Sequence, residues 1–396
     1  MTVAQEAENS AAMRKTHRAV PRPPFERIAF VLQGGGALGA YQGGVYQALA
    51  EADLHPDWVA GISIGAINAA LIAGNPLERR VARLREFWET VSKSPLGLVP
   101  YLYSVQLKND FTHRLVNELR AFSNLLWGTP GFFKPRLPTP LPFTLATADE
   151  LSYYDIEPLK NTLSRLVDFD LINCGKTRFS VGAVNVRTGN FVYFDNTTHA
   201  ICAEHVIASG SLPPGLPATE IQGEYYWDGG LVSNTPLQWV LSEEPRQDTL
   251  AFQIDLWSAK GHLPNNLTEA EVRQKEIRFS SRTRAATDQF KKTQLLRRAV
   301  HHLLSHLPDE LRQSPQANLL ASEADEKVYN IINLIYHAKN YEGASKDYEF
   351  SRRTMEEHWL AGYNDATRTL RHSEVLQRPQ NNEGVFTFDL AHDGRE

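Results

Sequence analysis

Ser63 stands at the centre of Gly61-Ile62-Ser63-Ile64-Gly65, which matches the G-x-S-x-G pattern of a nucleophile elbow. In such an elbow a strand turns sharply into a helix and lifts the serine hydroxyl above the sheet edge. The preceding WVAGI predicts a strand, and IGAINAALIAG predicts a helix whose N-terminus favours a developing oxyanion. The pattern alone also fits a plain strand-to-helix turn, so its chemistry depends on the groups beside it.

A glycine triplet, Gly34, Gly35 and Gly36, occupies a second turn of the same kind. The apolar run ERIAFVLQ predicts a buried strand over 26–33, and the apolar spacing after the glycines predicts a helix over 37–51. Glycines in such a turn leave backbone N–H groups free and allow close approach of another group. The turn therefore suits either phosphate binding or an oxyanion hole.

The residues from Gly34 to Gly39 also match G-x-G-x-x-G, a dinucleotide-binding pattern that would make the protein an oxidoreductase. A dinucleotide site needs an acidic residue at the C-terminal end of the second strand, where it binds ribose. In this chain Ser63 follows the second predicted strand, and the nearest acids, Asp53 and Asp57, precede that strand. The cofactor-binding alternative predicts quenched cofactor fluorescence and indifference to Ser63→Ala.

Asp228 follows the apolar run GEYYW and precedes Gly229 and Gly230. An acidic residue at the end of a strand can reach a serine at the end of a neighbouring strand. A serine hydroxyl needs a base within hydrogen-bonding distance, and a carboxylate serves where a dry environment raises its basicity. Asp-Gly-Gly alone is common in turns, so the interpretation depends on the three motifs occurring together.

Together, GGGALGAYQGGV, GISIGAINA and DGGLVSNTP resemble the motifs of the patatin-like phospholipases, a branch of the serine acyl hydrolases. The resemblance covers roughly residues 26–240. It implies a Ser–Asp dyad without histidine, with Ser63 as the nucleophile and Asp228 as the general base. It also implies roles for glycines: an oxyanion hole at Gly34, Gly35 and Gly36, and motif support from Gly61, Gly65, Gly229 and Gly230.

The resemblance implies hydrolysis of lipid esters, of the phospholipase A or lysophospholipase type, through an acyl-enzyme and without a metal or other cofactor. An esterase acting on other esters, including hydroxy-acid polyesters, would use the same dyad. The family often carries Arg or Lys directly after the glycines, whereas this chain has Ala37. From about residue 245, the sequence resembles the additional C-terminal region of a bacterial subgroup.

Histidines offer two alternative sites. A Ser-His-Asp triad is the ordinary arrangement of α/β-hydrolases. Candidates downstream of Ser63 include His113, His199, His205, His262 and His301. His199 and His205 fit best, since they flank a predicted helix. The spacing of His301, His302 and His306 could suggest a metal site, but a solvated helix face is the simpler interpretation because the cluster contains no carboxylate.

The composition is that of an ordinary globular protein, with 42% hydrophobic and 22% charged residues among 396. Lys and Arg number 41 against 46 Asp and Glu, and the formal net charge of −5 gives no global attraction to nucleic acid. Two cysteines exclude a disulfide scaffold. The uncharged run 28–50 is long enough to span a membrane, but its glycine triplet would open a helix in lipid. Without a secretory signal, the sequence predicts a cytoplasmic protein.

Alternating predicted strands and helices indicate a parallel sheet. We expect a three-layer α/β/α fold with a largely parallel central sheet, and Ser63 and Asp228 at C-terminal ends of strands. The predicted organisation is a disordered arm over 1–24 and an acyl-hydrolase domain over 25–245, with a cap or loop insertion over 94–150. A C-terminal extension over 246–396 would add one strand to the core and otherwise be mostly helical.

Three features bear on partners. The stretch 273–298 holds nine Lys or Arg against two acids, which predicts either a peripheral membrane helix or a charged face paired with acids elsewhere. Trp127, Phe132 and Phe133 would form either an apolar lip over the site or ordinary packing. The C-terminal helices could serve a homo-oligomer interface. A non-catalytic, membrane-associated scaffold therefore stays an alternative to the enzyme.

Overall fold

A mixed sheet of nine strands and a separate two-stranded ladder organise the part of the chain that the computed structural model describes. The described residues are 14–18, 21–93, 110–141, 143, 145–280, 283–338, 342–343 and 345–390, with backbone alone for 110–115 and 283–285. The strands are β1 (Arg27–Leu32), β2 (Trp58–Gly61), β3 (Lys134–Pro135), β4 (Tyr154–Asp155), β5 (Arg178–Asn185), β6 (Phe191–Asp195), β7 (Thr219–Ile221), β8 (Glu224–Asp228), β9 (Thr249–Asp255), β10 (Tyr329–Ile335) and β11 (Val385–Asp389).

Helices connect and cover these strands. In chain order they are α1 (Ala40–Glu51), α2 (Ile64–Ala73), α3 (Leu77–Val91), α4 (Asp110–Trp127), α5 (Glu157–Leu166), α6 (Phe169–Asn173), α7 (Ala203–Gly210), α8 (Leu237–Leu241), α9 (Leu267–Phe279), α10 (Thr283–Ser305), α11 (Asp309–Arg312), α12 (Pro315–Glu323) and α13 (Arg352–Leu370). Short 3₁₀ turns follow the glycine triplet, at Gly36–Gly39, and Asp228, at Gly229–Leu231.

The large sheet has the strand order β11-β10-β9-β1-β2-β5-β8-β7, with β6 also paired to β5. Pairing is parallel from β11 through to β5, whereas β6, β8 and β7 join by antiparallel pairs. Alternate residues of β1 enter different cores: Phe30 packs with the helices α1 and α2, and Val31 packs with α8. Both faces of the sheet are therefore covered, and the predicted three-layer α/β/α fold is confirmed.

The C-terminal region contributes more to the sheet than predicted. Three of its strands, β9, β10 and β11, extend the sheet beyond β1, where one strand was expected. Of the two additional strands, β10 has the sequence YNIINLI, a short apolar run inside a region that was predicted to be mostly helical. Such runs have no periodicity that separates a buried strand from a buried helix segment. One sheet thus crosses the predicted domain boundary at residue 245.

Two other predicted segments differ from expectation. The insertion 94–150 contains the 18-residue helix α4 where an irregular segment was predicted, and its residues 94–109 lie outside the described range. Within the predicted disordered arm, His17 is buried, with Nε2 3.1 Å from a carboxylate oxygen of Glu51. Polar composition did not reveal this contact, because it depends on partners distant in sequence.

The uncharged run 28–50 forms β1, the glycine turn and α1 rather than one helix. Across the described residues, the model contains no helix with both the length and the hydropathy needed to cross a bilayer.

Candidate active site

Ser63 occupies a strained turn between β2 and α2. Its φ of 56° and ψ of −124° lie in a region that residues with side chains rarely adopt. Close packing maintains the turn: a Cβ on Gly61 would collide with the carbonyl oxygen of Gly65, and a Cβ on Gly65 would collide with that of Leu32. The Ser63 N–H donates to the Ser209 hydroxyl at 3.0 Å. This is the sharp strand-to-helix turn that the G-x-S-x-G pattern predicts.

The strand pairings explain how Ser63 meets Asp228. β6 pairs with residues 180–184 of β5 and therefore occupies one edge of that strand. β2 and β8 must both use the other edge of β5. There, the last residue of β2, Gly61, lies opposite Val181, and the last residue of β8, Asp228, lies opposite Ala183. Since β2 runs parallel and β8 antiparallel to β5, their C-terminal ends face each other along one edge. The expectation that Asp228 ends a strand holds, but that strand is antiparallel.

The Asp228 carboxylate is only 3% exposed. Its Oδ1 accepts the Gly230 N–H at 2.7 Å, and Ser63 is the neighbouring side chain that also favours the ionised form of the carboxylate. Burial raises the pKa of Asp228 to about 6, although these two neighbours oppose the rise. A carboxyl group with this pKa is mostly ionised at pH 7 and is a stronger base than an exposed aspartate.

The glycine turn lies against Ser63. A Cβ on Gly34 would stand 3.0 Å from the Ser63 Cβ, and one on Gly36, which has φ +56°, would collide with the carbonyl oxygen of Asp347. The Gly34 N–H donates to the Asn234 carbonyl at 3.3 Å. Among the described residues, the N–H groups of Gly35 and Gly36 have no acceptor. Of the three predicted oxyanion-hole glycines, two thus offer unoccupied donors.

These groups open into one cavity of about 350 Å³ with mainly apolar walls. Its apolar and aromatic lining includes Ile64, Ile67, Leu125, Phe132, Phe133, Tyr154, Leu159, Leu212, Leu216, Trp257, Phe279, Tyr348 and Phe350. A larger depression of about 780 Å³, lined chiefly by residues 134–141, contains neither Ser63 nor Asp228. The predicted site residues thus share the smaller of these two cavities.

Several residues at the site were not identified from the sequence. Asn234 crosslinks the turn: its Nδ2 donates to the carbonyl of Gly34 at 3.1 Å and to that of Phe279 at 2.7 Å. Ser209 receives the Ser63 N–H and donates to the Gly182 carbonyl at 2.6 Å. Asn234 belongs to the motif DGGLVSNTP, which was a usable signal. Nothing in the sequence around Ser209 marks it.

The C-terminal region supplies part of the cavity wall. Lys275 lies there, with Nζ 2.6 Å from Asp347 Oδ1, and the Asp347 carbonyl accepts the Ala37 N–H at 2.8 Å. Ala37 is buried, so the cation that often follows the glycines has no counterpart at that position. Instead, Lys275 of helix α9, which is distant in sequence, places a positive charge in the cavity lining.

The histidine alternatives gain no geometric support. The cavity lining contains no histidine among the described residues. His205 is buried beside Phe194, at 4.6 Å between ring centroids, and its Nδ1 accepts the Cys202 N–H. In the described part of the chain, no group of three or more His, Cys, Asp or Glu side chains is arranged to hold a metal ion.

The sequence features that were considered for partner binding lie in different environments in the structure. Phe132 and Phe133 line the cavity and pack on Phe350, whereas Trp127 is 57% exposed and is not part of the lining. In the stretch 273–298, four cations are engaged within the protein. Arg273, Lys275 and Arg297 form ion pairs, and Arg298 donates to backbone carbonyls. These contacts favour the paired alternative for that part of the stretch.

Comparison with known proteins gave matches over both halves of the chain. A Caenorhabditis elegans protein described as a putative patatin-like phospholipase domain-containing protein is 43% identical over 61 residues, which are 15% of this chain and 6% of that protein. The chain thus spans a small fraction of that relative's length. The crystal structure of VipD from Legionella pneumophila is 14% identical, with a TM-score of 0.37, covering 98% of this chain and 78% of that one.

Two family models also match. One, described as patatin phospholipase, matches residues 277–382 in the C-terminal region. The other, described as patatin-like phospholipase, matches residues 30–241, which contain the glycine turn, Ser63 and Asp228. Because this second match covers more than half of the chain, the protein belongs to the patatin-like phospholipase family.

Proposed function

We propose that this protein hydrolyses carboxylic ester bonds of lipids through a Ser63–Asp228 dyad. The observation that carries the proposal is that Ser63 and the buried Asp228 carboxylate line one apolar cavity, together with two backbone N–H donors that have no acceptor among the described residues. Membership of the family supports lipid ester hydrolysis as the general activity.

In the first half-reaction, Ser63 Oγ attacks the ester carbonyl carbon while its proton passes to Asp228. The Gly35 and Gly36 N–H groups stabilise the negative charge that develops on the carbonyl oxygen, and each donor of this type contributes roughly 10²–10³ in kcat. The tetrahedral species then expels the alcohol, which takes the proton from Asp228, and an acyl-Ser63 ester remains.

Water completes the reaction. It attacks the acyl-Ser63 carbonyl and gives a proton to Asp228, and collapse of the second tetrahedral species releases the acid as Ser63 recovers that proton. The raised pKa of Asp228 suits both roles, since the group must accept and return a proton near neutral pH. No step requires a metal or an organic cofactor.

The apolar walls supply the preference for lipid. Aromatic side chains such as Phe132, Phe279 and Phe350 line the cavity beside Ser63. Burial of acyl methylenes against such walls contributes about 0.8 kcal/mol per CH₂ group. We therefore expect specificity for an acyl chain of several carbons rather than for acetate.

The test is hydrolysis of p-nitrophenyl esters from acetate to palmitate, followed by phospholipid and lysophospholipid, with purified protein and matched variants. Ser63→Ala should abolish turnover, while Ser164→Ala, at an exposed helix position of α5, should retain it. Equal rates in the parent and Ser63→Ala would contradict the dyad. A maximum at acetate, or turnover of hydroxy-acid polyester but not of phospholipid, would shift the proposal to the esterase alternative.

A further inference from the structure

Helix α4 turns polar residues towards the protein. Asn117, Ala121 and Asn124 are 8%, 1% and 7% exposed, and their spacing places them on one face. Asn124 Nδ2 donates to the Tyr348 carbonyl at 3.2 Å, next to the cavity wall. An ordinary surface helix buries its apolar stripe instead. Over the part of α4 whose side chains are described, from residue 116 onwards, amides therefore face the protein, and the large apolar residues lie elsewhere.

Those apolar residues point outwards. Leu119, Phe122 and Leu126 are 55%, 58% and 54% exposed, on the face opposite Asn117 and Asn124, and Trp127 beside them is 57% exposed. We call these four residues the α4 face. The loop that follows has the same character, since Leu137, Leu141, Phe143 and Leu145 are between 74% and 100% exposed. Large apolar side chains exposed in this number along one helix and the loop that follows it indicate an interaction surface.

The α4 face continues into the cavity. Leu125, the neighbour of Leu126, is 40% exposed and also lines the cavity, and its carbonyl accepts the Tyr154 hydroxyl at 2.8 Å. Leu212, which is 38% exposed, lines the cavity as well. An acyl chain could therefore pass from an apolar phase at the α4 face to Ser63 while remaining on apolar surface.

The exposed side chains of this region suit a lipid surface. Its charges are balanced within the protein, since Lys134 pairs with Asp155 and Glu157, and acidic residues border the segment at 118, 149 and 150. Docking would therefore depend on apolar contact rather than on attraction to anionic headgroups. Exposed tryptophan suits the interface between headgroups and acyl chains, and separated, fully exposed leucines suit a fluid partner better than a rigid protein groove.

We propose that the α4 face and its following loop dock on the surface of a phospholipid bilayer, and so deliver membrane esters to the cavity. Delivery rests on the proposed function, whereas docking does not require catalysis. The location also differs from the basic stretch 273–298, where the sequence had suggested membrane contact.

Docking is tested by flotation with vesicles of phosphatidylcholine alone and of phosphatidylcholine mixed with phosphatidylglycerol. The Ser63→Ala background prevents hydrolysis of the vesicles. In that background, the double variant Phe122→Gln, Leu126→Gln is compared with Leu319→Gln, Leu360→Gln, whose leucines are also exposed, at 70% and 58%, but lie on α12 and α13. We expect the first pair to weaken partition about tenfold or more and the second to leave it unchanged.

Absence of vesicle binding by the parent, or equal loss in both double variants, would overturn the proposal. A shift from dimer to monomer caused by the first pair alone would overturn it too, since a second copy would then be the occupant. With Ser63 intact, the first pair should hydrolyse a soluble p-nitrophenyl ester at the parental rate. If neither protein hydrolyses the ester but vesicle binding still depends on the α4 face, the dyad fails and docking stands.

Discussion

Two buried aspartates end the strands that pair antiparallel with β5, Asp195 on β6 and Asp228 on β8. They are 1% and 3% exposed, and each has a serine side chain beside it that favours its ionised form, Ser180 for Asp195 and Ser63 for Asp228. Their pKa values nevertheless move in opposite directions. The comparison isolates what makes a buried carboxylate a base rather than a structural anion.

The difference lies in the neighbouring groups. Burial raises the pKa of Asp195, but the Ser180 and Thr197 hydrogen bonds and the Arg178 guanidinium, 2.9 Å away, more than offset the rise, so the pKa is lowered. Among the described residues, Asp228 has only Ser63 and the Gly230 N–H to oppose burial and no cation beside it, so burial dominates and its pKa rises to about 6. The pKa of a carboxylate rises when the group is buried away from water and has no cationic partner.

Matched Asp→Asn changes give the largest expected effect. Asp228→Asn removes the proposed base, so kcat/KM for a p-nitrophenyl ester should fall by roughly 10²–10⁴. Asp195→Asn should retain activity per folded molecule. Steady-state rates, normalised to folded protein by circular dichroism, measure both. Equal losses in the two variants would remove the functional distinction between the aspartates.

The free energy of unfolding should fall more in Asp195→Asn than in Asp228→Asn, the reverse of the order expected for activity. Asp195→Asn leaves Arg178 without its buried carboxylate, and although Glu243 also pairs with Arg178, the free energy of unfolding should fall by about 2–3 kcal/mol. Urea denaturation at pH 7 measures the change. A loss below the experimental error would mean that the Arg178–Asp195 pair adds nothing to stability.

Asp228→Asn should instead stabilise the protein at high pH. Because the folded-state pKa of about 6 exceeds the unfolded value of about 3.9, ionised Asp228 opposes folding above pH 6. The variant should gain about 1–3 kcal/mol at pH 8, and the gain should shrink as the pH falls from about 6 to about 4 and vanish below about pH 3, where both states are protonated. Urea titrations of parent and variant across this range provide the measurement. A pH-independent difference would contradict the raised pKa.

The smallest effect expected is on the pH profile. Protonation of Asp228 removes the base, so kcat/KM of the parent should fall with a midpoint near pH 6, about tenfold for each unit below it. Asp195→Asn should keep that midpoint, since Asp195 does not contact Ser63. A midpoint near 4 in the parent would show that burial fails to raise the pKa of Asp228.

Local patterns predicted much of the fold and the site. The strands β1 and β2, the helix α2 and the turn at Ser63 follow from short apolar runs interrupted by glycine, and each is determined by residues adjacent in sequence. Asp228 was likewise placed correctly at the end of a strand. The sequence could not show that β8 runs antiparallel and meets β2 end to end, because that depends on which edge of β5 each strand occupies.

The tertiary structure decided the features that depend on distant partners. β10 is a strand because β9 and β11 flank it, and α4 exposes its apolar residues because Asn124 bonds to a segment of the C-terminal region. Lys275 and Asn234 reach the glycine turn only through the packing of α9 and of the loop after β8. The sequence by itself determined the motifs and the local turns that carry Ser63, Asp228 and the glycines. Their surroundings, and with them the pKa of Asp228, were decided by long-range packing, since burial and the absence of a cation are properties of the assembled core.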